Sequence, residues 1–433
     1  MHPLNRNITE LPPRRIVGEV RISSREALGD LLARAHRDKV SIYPISSGMN
    51  WEQGSRLPVH DGAIVADLSP MDRIVSLDAV RGRVIIEPGV TQQRLSEALA
   101  DTPFFLPMTG SSASTSVVGN LLERGATFFG HRNDLVLGVE AMLADGRLVR
   151  TGHWHFLPDP DDASALHYAR GLGPDLTHLF TQSNLGVVTR IALRLLRRPA
   201  FTSIVTAHFA EAALPAVVDA LSTLLAEGVT REGTLITNAN DPRTARAGDH
   251  DYRGTWFAAT AVAAATRRLH DAGLDAANSA LAPHGVAVTT SDLAAPAPAD
   301  AHAYLPVLRD LARGVPSDYS LRTMAAMAGV VLDDPHTLDE SRKIPGFSVA
   351  LPAVPWQGDA VVRASACVDA VSRELGVKPF HNFASIAPDT LEGFYRIYFD
   401  REDHEDIARA HRWNELVHIA LERDVDKLVP AMR

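Results

Sequence analysis

Apolar positions recur along this chain in two patterns, and the pattern changes near residue 199. In the first stretch, residues 14–20 read as a strand, and Ser23 or Ser24 can N-cap an amphipathic helix running to about Arg37. An apolar strand over 40–45 runs straight into Ser46-Ser47-Gly48-Met49-Asn50. Residues 63–68, 74–77 and 83–87, with period-2 or continuous apolar character, predict three more strands. Pro88-Gly89 breaks the last of them, and Thr91 can cap a helix to Ala100. A long polar loop, 107–116, leads into Val117-Val118-Gly119-Asn120. Two strands flank Asp145-Gly146, a hairpin turn signal. His153 and His155 alternate on what reads as a strand and would share a face. A final strand over 186–196 ends at Arg197-Arg198-Pro199.

Beyond that point strand–helix–strand units repeat. Strands are predicted at 203–209, 234–237, 256–262, 286–290, 347–351, 380–386 and 394–399. Helices fall between them at 214–226, up to 281, and at 359–375. Such repetition predicts an antiparallel sheet backed by helices, so the chain reads as α+β with two domains, 1–199 and 200–433. Cys367 falls on the apolar face of the 359–375 helix and reads as a small packed hydrophobe.

Composition narrows the function more by exclusion than by indication. With 433 residues, 45% of them hydrophobic and 22% charged, the chain can bury sizeable cores. No run approaches the roughly 18 apolar residues of a membrane helix. The polar start gives no secretory h-region, so a cytoplasmic protein without membrane attachment is expected. One cysteine excludes a disulfide framework or a cysteine-built metal site. A net charge of −9 argues against a nucleic-acid partner. No third ligand joins His153 and His155, so no metal site is expected.

The dinucleotide G-x-G-x-x-G, the P-loop, H-E-x-x-H, C-x-x-C and G-x-S-x-G are all absent from the sequence. What remains is a pair of loops suited to phosphate. In Pro44-Ile45-Ser46-Ser47-Gly48-Met49-Asn50 a strand ends in small residues whose successive N–H groups can form an anion-binding nest. Gly110-Ser111-Ser112-Ala113-Ser114-Thr115-Ser116 offers hydroxyl and amide donors again. Read alone, either could be an ordinary surface turn.

Together with Glu87-Pro88-Gly89-Val90-Thr91, Gly119-Asn120, Glu123-Arg124-Gly125, Gly138–Gly146 and Gly186-Val187-Val188-Thr189, these loops make residues 41–198 resemble the FAD-binding domain of the vanillyl-alcohol oxidase and p-cresol methylhydroxylase flavoproteins. The resemblance implies an FAD oxidoreductase with a substrate-binding cap in the second half. It places the FAD pyrophosphate on the turn from Pro44 and Ile45 to Asn50. The segment from Pro107 through Gly110, Ser111, Ser112, Ser116, Val118 and Gly119 to Asn120, closed by Gly125, runs beside the pyrophosphate and isoalloxazine. Glu140, Gly186, Val187 and Val188 line the adenine side.

The catalytic positions of the phenol-oxidising members differ here. Gln53 stands where they place a tyrosine, and His131 follows Gly130 where they place an acid. Their Tyr-Arg pair would fall near Leu428 and Val429, close to Arg433. Oxidation of a simple 4-alkylphenol is therefore not expected; an alcohol, amine or hydroxy acid of bacterial secondary metabolism is. His131 is the candidate base, since imidazole titrates near neutral pH, with Glu52 and Gln53 lining the site. No histidine lies between Pro44 and Gly54, and no cap residue in 321–331 aligns with an attachment site, so noncovalent FAD is expected. Two other readings stay open. One is a flavin-fold scaffold or non-redox cyclase or isomerase; the other is a homo-oligomer or second subunit that completes the site.

Overall fold

The computed structural model describes residues 3–51, 54–127, 130–231, 233–238, 255–297, 302 and 304–424. They fall into two units. The first takes in the chain to Gly125, then His131–Arg198 and Gly314–Asp318; the second takes in Ala126–Gly130, Pro199–Arg313 and the chain from Tyr319.

In the first unit, β1 (Ile16–Arg21), β2 (Ser41–Ile45) and β3 (Ala63–Asp67) form a parallel sheet in the order β1-β3-β2. The connecting α1 (Arg25–Asp38) starts at Ser24, whose hydroxyl accepts from the Ala27 amide. It ends at Lys39, which is in the left-handed region with φ 55°. The buried stripe Leu28, Leu31, Leu32 and Ala35 follows helical spacing. Leu28, Leu31 and Leu32 pack with Ala66, Leu68, Met71, Met142 and Val187.

A second, antiparallel sheet comprises β4 (Ile74–Asp78), β5 (Arg83–Ile86), β6 (Val136–Leu143), β7 (Leu148–Arg150) and β8 (Gly186–Arg194), ordered β7-β6-β8-β5-β4. Two short helices complete this unit, α2 (Gln92–Ala98) capped by Thr91 and α3 (Val117–Leu122) capped by Ser116.

One local expectation is overturned here. Gly152–Phe156 is a 3-10 turn, not a strand, so His153 and His155 do not share a strand face. The cause is Trp154, which is wholly buried among Ile85, Leu137, Ala163 and Leu166 and donates its indole N–H to the Pro160 carbonyl at 2.9 Å. Burying one tryptophan outweighs the weak alternation around it. His153 instead lies 5.6 Å from His167, centroid to centroid, and His155 meets Phe156 edge-on.

Among the described residues the second unit is an eight-stranded antiparallel sheet with a helical layer. Its elements are β9 (Phe201–Ala210), α4 (Leu214–Ala226), β10 (Leu235–Asn238), β11 (Thr255–Ala264), α5 (Arg267–Leu281) and β12 (Ala287–Asp292). After these come α6 (Leu305–Arg313), α7 (Tyr319–Met327), β13 (Gly346–Ala350), β14 (Ala353–Pro355), α8 (Gly358–Leu375), β15 (Phe380–Ala387), β16 (Thr390–Phe399) and α9 (His404–Asp424). The strand order is β12-β9-β11-β10-β15-β16-β13, with β14 also on β16.

Alternate strand residues, among them Val205, Ala207, Phe209, Trp256, Ala258, Phe383, Tyr395 and Ile397, face α4, α5, α8 and α9 in one core. Each large side chain so buried contributes about 1.5–3 kcal/mol. Trp413 of α9 is fully buried and satisfies its indole N–H on Ser372 Oγ at 2.8 Å. Cys367 is half-buried against this core. On the opposite face Ile204, Phe257, Ala259 and Ala261 pack with Leu305, Leu308 and Ala312 of α6. The α+β class and the helix-backed antiparallel sheet are thus both present. Among the described residues no helix is long and apolar enough to cross a membrane.

Candidate FAD site

The geometry of the site begins where β2 ends. Ile45 pairs with Asp67, and its carbonyl accepts from the Leu68 amide at 2.8 Å, so the chain leaves the sheet at Ser46 with its direction set. Among the described residues, the amides of Ser46, Ser47, Gly48 and Met49 donate to no carbonyl or side chain. Four successive amides without partners, on three half-buried residues and the buried Met49, can serve as a nest for an anion.

The 113–119 segment is fastened to this turn, and the 88–93 segment is in its turn fastened to 113–119. The Ser116 amide donates to Ser47 Oγ at 3.0 Å, and Ser116 Oγ donates to the Pro88 carbonyl at 2.6 Å while capping the Gly119 amide at 2.9 Å. Val117 N–H reaches the Val90 carbonyl, and the Gln92 and Gln93 amides reach the Thr115 and Ala113 carbonyls. Ser46 and Gly119 approach so closely that a β-carbon on Gly119 would lie 2.4 Å from Ser46 Oγ. A side chain at 119 would displace the Ser46 hydroxyl, which glycine leaves in place.

Both ends of the 107–120 segment are held. Asp318 Oδ1 accepts from Ser112 Oγ at 2.7 Å and from the Ala113 amide at 2.9 Å. Inside, the buried Gln92 accepts from the Thr109 amide at 2.9 Å and donates to the Ser112 carbonyl at 2.7 Å. Ser111 lies in a hydroxyl chain between Thr109 and Thr115. Gly110 is exposed at the tip, and Val118 is buried under the start of α3.

Arg132 closes the arrangement. It donates to the Pro107 carbonyl at 2.8 Å, to Asn120 Oδ1 at 3.0 Å and to Gln92 Oε1, and it touches Met108 Sδ. Gly125 returns its amide to the Asn120 carbonyl. Sequence reasoning passed over Gln92, Arg132 and Asp318, because their roles depend on partners up to 206 residues away.

His131 is half-buried next to Arg132. Burial pushes its pKa below the ordinary histidine value, and the nearby Asp134 carboxylate opposes this only in part. At neutral pH its imidazole is therefore uncharged and able to accept a proton. Glu52 and Gln53, and the Leu428–Val429 region, lie outside the described residues.

Glu140 is wholly buried and its carboxylate is engaged. It accepts from Arg150 Nε at 2.8 Å, from Thr189 Oγ1 at 2.9 Å and from Arg25 Nη1 at 3.3 Å. Its main chain sits in β6 beside Val187 and Val188, which pair with Met142 and Ala141; Gly186 pairs with Leu143. In the second unit His381 lies on the helix-covered face, bonded to Asp369 at 2.9 Å and packed edge-on against Trp256 and Tyr395.

Among the described residues, an amide run without partners, a second loop fastened to the same turn and a buried cation holding that loop are features suited to an anionic ligand. Residues 18–152 match the model of a family described as FAD binding domain. That segment of the chain thus carries an FAD-binding domain. It is 38% identical over 212 residues to 1'-carboxy-chondrochloren decarboxylase of Chondromyces crocatus, across 48% of this chain and 38% of that protein. It is 31% identical over 191 residues to the flavoprotein subunit of hydroxylating 4-cresol dehydrogenase from Pseudomonas putida, across 43% of this chain and 36% of that one. The matched stretch therefore spans under two fifths of either relative.

The solved structure of p-cresol methylhydroxylase with substrate bound superposes with a TM-score of 0.84 over 99% of this chain and 84% of its own, at 20% identity. The 4-ethylphenol oxidase of Gulosibacter chungangensis, as its isoeugenol complex, gives 0.84 over 99% and 83% at 18%. At such identities the likeness is one of fold.

The site fits FAD by its own chemistry. Amides without partners among the described residues suit a pyrophosphate, and Gly119 leaves the Ser46 hydroxyl in place beside the Ser116 cap.

Proposed function

We propose that the protein is an FAD-dependent oxidoreductase of bacterial secondary metabolism acting on a small alcohol, amine or hydroxy acid. The first unit holds the cofactor and the second serves as the substrate-binding cap. The observation that carries this reading is the junction of Ser46-Ser47 with Ser116-Gly119, which lies inside the segment that matches an FAD-binding domain. When bound, FAD supplies a hydride acceptor at N5, and oxygen or another acceptor takes the electrons onward.

The chain's own part is to hold and to move a proton. The 46–49 amides and the 110–120 loop bind and orient the dinucleotide without a covalent bond. His131, neutral at working pH, takes the proton released as the substrate carbon gives up its hydride. A second subunit or a second copy completes the site, as the word subunit in the cresol dehydrogenase's name suggests.

A second reading is decarboxylation of a carboxylate-bearing substrate, favoured by the 38% identity to a decarboxylase. Anaerobic mixing with a donor panel separates the readings. Bleaching of the flavin by an alcohol, amine or hydroxy acid supports the first. Carbon dioxide release from a carboxylate, with no donor that bleaches the flavin, supports the second. A flavin unchanged by every donor and no carbon dioxide leave a scaffold.

A further inference from the structure

Two arginines of the first unit are each only 1% exposed, and their surroundings differ. Arg190 is neutralised: Asp161 lies at 2.6 Å, Glu140 at 3.8 Å and Glu87 at 4.0 Å. Arg132 meets neutral acceptors alone, the Pro107 carbonyl, the Asn120 and Gln92 amides and the Met108 sulfur. Among the described residues no carboxylate pairs with it. A guanidinium keeps its proton in a protein, so this is a buried positive charge with no counter-charge among the described residues. Taking such a charge out of water costs several kcal/mol unless something answers it.

Its position says what does. Arg132 grips both ends of the segment that carries Ser116 and Gly119, and that segment is fastened by the Ser116 amide to the Ser47 hydroxyl, within the run Ser46–Met49 whose amides have no partner among the described residues. The cation therefore holds the same segment whose Ser116 meets the Ser46–Met49 turn. Neutral hydrogen-bond acceptors would have held the loop as well with a neutral donor, so loop-holding alone does not call for a charge.

We infer that Arg132 is the counter-charge of the bound flavin dinucleotide, a positioning residue that acts through Asn120 and Pro107 and whose field favours negative charge on the cofactor. This rests on the FAD reading above. The negative charge has two sources, the permanent pyrophosphate and the ring that gains electrons on reduction. They separate experimentally. A counter-charge to the pyrophosphate strengthens binding of oxidised FAD. A counter-charge to the reduced ring raises the midpoint potential.

The test compares wild type, Arg132→Gln and Arg132→Lys. Each deflavinated chain is titrated with FAD, and each holoprotein is reduced anaerobically against a reference dye. Arg132→Gln is expected to lose at least tenfold in oxidised-FAD affinity, or to fall in midpoint potential by about 30 mV or more, which is tenfold for a two-electron couple. Arg132→Lys, which keeps the charge and loses the forked hydrogen bonds, is expected to stay within threefold of wild type on the same reading.

A folded Arg132→Gln with both quantities unchanged overturns the assignment. So does a lysine variant as impaired as the glutamine one, since the role is then geometric. Should Arg132→Gln not accumulate in folded form, the lysine variant decides by the same threefold limit. A wild-type chain that never saturates with FAD sinks the cofactor reading itself, whereas saturating wild type with indifferent variants sinks only the role of Arg132.

Discussion

Gly89→Ala tests how the loops of the FAD site are held, because the cost can be worked from contacts at one atom. A β-carbon at position 89 would lie 2.2 Å from the Ser69 carbonyl oxygen and 2.8 Å from that of Met71. Ordinary contact begins near 3.4 Å, so the 69–71 and 88–90 segments must part by about 1 Å. Both obstacles are main chain and cannot rotate away. Parting them breaks the 2.7 Å bond from the Gly89 amide to the Met71 carbonyl.

Overpacking costs about 1–3 kcal/mol and the lost bond about 1 more, giving about 2–4 kcal/mol. For a unit of this size that lowers Tm by about 6–12 °C at the middle of the range. The damage also reaches the cofactor, since Pro88 and Val90 accept from Ser116 and Val117. Affinity for FAD should drop at least tenfold. Thermal unfolding of the apo chain and an FAD titration give both readouts. If Gly89→Ala stays within 2 °C and twofold of wild type, on the order of measurement error, the reasoning about this junction is wrong.

Three further outcomes follow from the same geometry. Glu140→Gln leaves Arg25, Arg150 and the buried Arg190 short of one carboxylate. Because Arg25 and Arg150 are partly exposed, the loss should sit at the low end for a broken buried pair, about 3 kcal/mol, read by denaturant unfolding. Asp318→Ala removes the acceptor of the Ser112 hydroxyl and Ala113 amide. About 1–3 kcal/mol and weaker FAD retention are expected, and Asp318→Asn should recover part of it. His131 has a lowered pKa, so a rate that needs its neutral form should keep its plateau at neutral pH and fall on an acid limb below the ordinary value of about 6.5. His131→Ala should abolish that limb along with most of the turnover. The same shift means the folded state binds fewer protons there. The stability it contributes is present above the unfolded value and is lost as pH falls through the folded one, a loss that His131→Ala should remove.

Much of the fold was legible because local chemistry and tertiary packing agreed. Ser24 and Thr91 cap helices as their hydroxyls predict, and the apolar spacing of 214–226 gives α4. The alternation in 203–209 and 256–262 gives the central strands of the second sheet. Helices α6 and α7 escaped notice, because Pro306, Gly314 and Pro316 punctuate the stretch like a loop. The parallel order β1-β3-β2 is set by a crossover that no local pattern announces. Likewise the excursion of Gly314–Asp318 into the first unit leaves no mark in those five residues beyond turn chemistry.

At the site, the loops 44–50 and 110–120 could be read because backbone-built nests select small residues. The functions of Arg132 and Gln92 could not be. A lone arginine in His131-Arg132-Asn133-Asp134 looks like a solvated loop residue until its burial and its neutral partners are seen. The alternation of His153 and His155 misled because one buried tryptophan between them decided the local conformation.

The central claim, that the chain binds FAD in the cradle of Ser46–Met49 and Ser116–Asn120 without a covalent link, is tested most directly by colour. The purified protein, reconstituted with FAD and freed of excess, is precipitated with acid, and absorption spectra are taken of pellet and supernatant. The account predicts a flavin spectrum of the native protein that moves wholly into the supernatant. A protein that stays colourless after reconstitution would contradict it.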